Sequence, residues 1–165
     1  MKISKSLTIN RPAADVWKVL AHDFTRADEW MAAVPKSYVY ENDRAADGAP
    51  VSGRVCELST KEDGLKVEEV ISHFDDEAMS FTIEVTPTKG GVIPIHKNVV
   101  EISLSEPRPG VTEVHWNSTP DLKPAGYVAY PMLKMGFGRA FGQILEELKY
   151  FVENDRPHPR KLKAA

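Results

Sequence analysis

Read for alternation and for helical period, the chain divides into seven extended runs and one long amphipathic segment near its end. Residues 2–10 place Ile3, Lys5, Leu7 and Ile9 on one side and Lys2, Ser4, Ser6 and Thr8 on the other, which predicts a first strand. Two short helices follow. The first is entered through Asn10 as a cap and Pro12 in its opening turn, and carries Val16, Trp17, Val19 and Leu20; the second is capped by Thr25, includes Trp30 and Met31, and ends at Pro35. Further strands are expected at 37–42, 53–61, 65–74, 79–85, 95–104 and 111–119, separated by turns rich in glycine, proline and aspartate. In the third strand the parity puts Cys56 and Leu58 toward the core. In the next it puts Val67, Glu69, Ile71 and His73 on one side. Strands joined by short turns imply an antiparallel meander.

The segment 131–154 behaves differently. At about 100° per residue, Tyr130, Leu133, Phe137, Phe141, Ile144, Leu148 and Phe151 fall in one stripe roughly 80° wide. Gln143, Glu146, Glu147, Lys149 and Glu153 lie opposite. This is a helix on the order of 36 Å long, and only a broad apolar sheet could cover its stripe. Its first half is apolar nearly all round, with Val128, Met132 and Met135 off the stripe, and it contains Gly136, Gly138 and Gly142. Each glycine costs about 1 kcal/mol against alanine. Two reasons present themselves: close packing where no side chain fits, or room and bending beside an internal cavity. The expected class is therefore α+β, an antiparallel sheet of about seven strands around a long C-terminal helix, with two short helices between strands one and two. Residues 1–154 form one domain and 155–165 a frayed, solvated basic tail.

Composition narrows the classes of function. A net charge of −3 lacks the concentrated basic face that nucleic-acid binding needs. No run of 18 apolar residues exists, so no helical membrane span is expected. The single cysteine, Cys56, excludes an internal disulfide and fits a reducing compartment. Residues 1–8 offer no apolar run of signal-peptide length, so a cytoplasmic location is expected.

The order of elements, with the opening Ser6-Leu-Thr-Ile-Asn-Arg-Pro-Ala-Ala-Asp-Val-Trp-Lys-Val-Leu, Asp23-Phe and Trp30, resembles the helix-grip fold of the START-like superfamily. Gly53-Arg-Val-Cys-Glu-Leu, the turn at Gly64 and Glu68-Glu-Val-Ile-Ser-His before Asp75-Asp-Glu are similar to its central hairpins. The superfamily includes birch-pollen-allergen-like proteins and the polyketide cyclase/dehydrase group, and the latter is closest in look. The resemblance implies a cavity between sheet and helix for an apolar or amphipathic small molecule. Its walls would include Arg54, Glu69, Phe81 and Trp116 from the sheet side. Tyr127, Tyr130, Phe137 and Phe141 would line it from the helix side. The same hairpin is similar to that of the plant abscisic-acid receptors, which puts Glu69 at a pocket-facing glutamate. Their proline-bearing gate loop is absent at 61–65, and 89–94 only loosely resembles their latch.

The chemistry-bearing residues are few. There is no nucleophile elbow, P-loop, dinucleotide fingerprint or helical pair of metal ligands. Cys56 reads as a small buried hydrophobe, and His73, His96 and His115 on separate strands as surface or singly bonded side chains rather than a metal site. If Arg54 and Glu69 both face the cavity, each charge needs the other or a polar ligand group. Arg54 would then hold a carboxylate, phenolate or carbonyl oxygen, and Glu69 could exchange protons. Alternatively, the two form a structural ion pair or lie on the outer face. The leading expectation is a carrier of a hydrophobic small molecule (lipid, isoprenoid or polyketide-like) with no cofactor. The rival is a cyclase, aromatase or dehydratase using Glu69, His73 or His96. A weaker third is a co-chaperone-like or ribosome-interacting module working through the tail or an exposed patch on the helix.

Overall fold

The computed structural model describes residues 1–44, 46–89 and 93–164. Seven strands form one antiparallel sheet: β1 Ile3–Ile9, β2 Lys36–Val39, β3 Gly53–Glu57, β4 Lys66–Asp75, β5 Ser80–Lys89, β6 Ile95–Arg108 and β7 Val111–Leu122. Their spatial order is β1-β7-β6-β5-β4-β3-β2. The meander is thus complete from β2 to β7, and β1 closes against β7. Between β1 and β2 lie α1 (Ala13–Trp17), continued by a π turn at Lys18–His22, and a 3-10 helix at Phe24–Glu29. The C-terminal part is α2 (Pro124–Val128), α3 (Tyr130–Asn154) and α4 (Pro159–Ala164). None of the described helices is long and apolar enough to cross a membrane.

The inner face of the sheet follows the alternation read from sequence. Val67, Ile71, Ile83, Val100, Ile102, Val114 and Trp116 are buried in one core with Phe141, Leu145, Leu148 and Val152 of α3. Two bulges change the parity where it had mattered. In β4 Ile71 pairs with Ile83 and His73 with Thr82, so Ser72 is the extra residue and Phe74 turns inward in place of His73. In β6 Ile95 pairs with Leu122 and Lys97 with Asp121, so His96 is the extra residue while Ile95 and Asn98 are buried. Both histidines are exposed.

The short helices are held without the expected caps. Asn10 does not cap α1 and Thr25 lies inside the 3-10 helix. Instead, Glu106 at the far end of β6 accepts the Ala13 N–H at 2.9 Å and the Gly110 N–H at 2.8 Å. These two N–H donors hold its carboxyl below the usual range. A depressed folded-state value contributes stability at neutral pH that is lost as pH falls through it. Thermal melts of wild type and Glu106→Gln are therefore expected to differ most near neutrality and to converge as the pH drops below about 4.

Two features of the C-terminal half depart from the sequence reading. Glu147 is buried, not solvent-facing: its carboxylate accepts the Ala32 N–H at 2.9 Å and pairs with Arg160 at 2.9 Å. Arg160 also reaches Glu146 at 2.8 Å, and Lys161 donates to the Val34 carbonyl at 2.8 Å. The segment expected as a frayed tail therefore forms α4, turned back by a left-handed Asp155 (φ 53°) and held to α3. A buried carboxylate needs a countercharge, and the basic segment supplies it. The second departure concerns the glycines of α3. A Cβ on Gly136 or Gly142 would meet nothing within 4 Å, and one on Gly138 only the Lys5 stem at 3.9 Å, so close packing does not account for them. Gly136→Ala and Gly142→Ala are each expected to stabilise the fold by about 0.5–1 kcal/mol, read as a raised unfolding midpoint in urea.

Candidate functional site

The side chains of greatest chemical interest begin on β3. Arg54 stands directly opposite Glu69 of β4. Gly53 is required beside them, because a Cβ there would collide with the Glu69 carbonyl oxygen. Arg54 Nε and Nη2 each lie 2.6 Å from Glu69 Oε2, and Nη1 donates to the Phe24 carbonyl at 2.5 Å. The guanidinium also lies 4.0 Å above the Phe24 ring. Both residues are buried. Burial works against the Arg54 charge, but the Glu69 carboxylate together with Cys56 lifts the arginine above its ordinary value. Neighbouring Cys56 is fully buried, and desolvation pushes its thiol up to about 12. That thiol stays protonated and has no nucleophilic role at neutral pH.

This pair forms part of the wall of a cavity of about 230 Å³ between sheet and α3. Its floor comes from Val67, Ile83, Val85, Val100 and Trp116, and its roof from Phe137, Ala140, Phe141 and Ile144. Met31, Val34, Leu58 and Ile95 close the sides. The polar side chains in this lining are Arg54, Glu69 and Asn98. Two of these are only partly used. Arg54 occupies Glu69 Oε2 but not Oε1, and Asn98 accepts from Ser118 through Oδ1 at 2.8 Å, leaving its amide nitrogen without an acceptor among the described residues. Trp116 Nε1 is buried and has no acceptor among the described residues either. Native interiors rarely leave such a donor orphaned.

Five of the expected lining residues meet here: Arg54, Glu69, Trp116, Phe137 and Phe141. The others do not. Phe81 is buried on the inner face but packs edge-on between Trp17 (5.5 Å) and Phe24 (6.0 Å), so it supports Arg54's platform from outside the cavity. Tyr127 is exposed, and Tyr130 lies about two helical turns before the roof and outside the lining. The roof is thus the middle of α3 rather than its leading turns, where Met132, Lys134 and Met135 are exposed. His73 and His96 point to solvent for the bulge reasons given above. Of the three residues weighed for acid–base work, only Glu69 reaches the cavity. Residues 90–92 of the latch-like loop at 89–94 lie outside the described residues. Asn98, Met31 and Val34 were not singled out from sequence. Asn98 shares the inward parity of Val100, Ile102 and Leu104, and that was the signal available.

Residues 1–153 match the family described as polyketide cyclase/dehydrase and lipid transport. The chain belongs to that family. No curated protein sequence matches it. Among solved structures, this polyketide cyclase/dehydrase family member is similar to a START superfamily protein from Mycobacterium smegmatis, with a TM-score of 0.71 and 15% identity over 92% of this chain and 97% of that one. It is similar as well to the protein XoxI from Bacillus cereus (0.70, 17%, covering 93% and 96%) and to truncated norcoclaurine synthase from Thalictrum flavum (0.66, 14%, covering 93% and 94%). At such identities the likeness establishes the fold, which is the helix-grip arrangement of a seven-stranded antiparallel sheet around a long C-terminal helix.

Proposed function

We propose that this family member binds a compact hydrophobic small molecule between its sheet and α3. The observation that carries the reading is the 230 Å³ cavity itself, walled mainly by aliphatic and aromatic side chains with few polar groups. That is the composition a small-molecule site needs. Its volume falls below the roughly 300–1,000 Å³ usual for drug-sized ligands, which favours a one- or two-ring molecule or a short isoprenoid over a long acyl chain. A neutral guest with a carbonyl or hydroxyl oxygen suits the polar groups, since it could supply the acceptor that the Asn98 amide nitrogen lacks. An anionic guest would set a second negative charge beside Glu69, whose partner Arg54 is already neutralised.

A cyclase or dehydratase activity is the second reading, favoured by Glu69 Oε1, the one carboxylate oxygen in the lining not taken by Arg54. No second acid–base side chain accompanies it among the described lining residues. Native mass spectrometry after incubation with geraniol and with tetralone separates the possibilities. Binding of one equivalent, with the compound recovered unchanged, is expected. Conversion of a bound compound that stops in Glu69→Gln would favour the enzyme reading, and failure of both probes to bind would remove the proposal.

A further inference from the structure

The cavity leaves one exposed apolar face unused, at α2 and the start of α3. Tyr127, Val128, Met132 and Met135 are 67%, 88%, 68% and 72% exposed. Met132 and Met135 share one side of α3, with Arg139 one turn later on the same side, and Val128 ends α2 just before it. A folded domain rarely holds such a contiguous apolar patch in water without a partner. The charge around it is equally one-sided. From residue 122 to 145 the chain carries Lys123, Lys134 and Arg139 and no aspartate or glutamate, although the whole chain is net negative. Among the described residues neither Lys134 nor Arg139 forms an ion pair, and the Lys5 stem lies beside Gly138.

We propose that this face docks on an anionic lipid surface, with Val128, Met132 and Met135 entering the headgroup boundary and Lys123, Lys134 and Arg139 meeting lipid phosphates. A helix with an apolar side and flanking cations lies in such an interface plane, and flexible methionines adapt to a fluid surface. A second copy of the chain is a poorer occupant, because two-fold pairing of this face would set the same unpaired cations against each other. The patch also adjoins the cavity. A shallow depression formed by Met132, Leu133, Gly136, Phe137 and Ala140 shares Phe137 and Ala140 with the cavity roof. Docking would therefore bring the cavity's outer wall to the bilayer, but it does not depend on the cavity holding anything.

Flotation of the full chain with phosphatidylcholine vesicles, and with vesicles also containing phosphatidylglycerol, tests the proposal. Partition at least about tenfold stronger on the anionic vesicles is expected. Met132→Asp with Met135→Asp should lower it at least about tenfold without moving the thermal midpoint, since both side chains already stand in water. Lys134→Gln with Arg139→Gln should abolish the preference for anionic lipid. Equal or absent partition on both vesicle types would overturn the proposal. So would sedimentation showing a dimer that the methionine substitutions dissociate, with no vesicle binding.

Discussion

Replacing Glu69 by leucine alone is expected to destabilise the protein by about 3–5 kcal/mol, because the change strands the Arg54 guanidinium in the interior. Arg54 would keep its bond to the Phe24 carbonyl and its place over the Phe24 ring, but neither neutralises the charge. Arg54→Met made together with Glu69→Leu should restore most of the loss, since an ion pair replaced by apolar groups of like volume leaves nothing uncompensated. Urea unfolding of the wild type, both single variants and the double variant closes the cycle. A coupling of several kcal/mol is expected. Additive single effects would mean that the two residues are solvated and do not shape the cavity wall.

The second large effect concerns binding. Val100→Phe on the floor together with Ala140→Phe on the roof adds two rings to a 230 Å³ space. Because the space is open, the protein itself should lose no more than about 1 kcal/mol, whereas a guest would have to overlap the new rings at a cost of about 3 kcal/mol or more. Affinity for any cavity ligand is expected to fall at least about a hundredfold by isothermal titration. Unchanged affinity would place the guest elsewhere on the molecule.

Most of the fold was legible because alternation and helical period are local signals. The seven strands and the long helix follow from parity and period, whereas parity leaves the facing of Arg54 and Glu69 open between cavity, outer face and structural ion pair, and the pocket side of Glu69 comes from resemblance. The misplaced residues share a physical cause: each depended on an event that periodicity does not encode. His73 and His96 lie at bulges, at Ser72 and at His96 itself, and one extra residue exchanges the two faces of a strand. Glu147 sits on the polar side of α3 by angle, but α4 folds back over that side and buries it. Phe81 has inward parity, yet parity cannot tell core from cavity wall, and the ring is taken by Trp17 and Phe24. By sequence, Tyr127 and Tyr130 are expected to supply hydrogen bonds at a cavity mouth beside the apolar leading turns. In those turns Tyr127, Val128, Met132 and Met135 are exposed, and the cavity roof begins only at Phe137.

Diffraction from crystals held under xenon pressure tests the central claim most directly, because an apolar hollow takes up xenon whatever its natural guest. A xenon peak enclosed by Ile83, Val100, Trp116 and Phe141 is expected. Crystals in which Phe141 and Ile144 lie directly on the sheet and no xenon binds there would contradict the account.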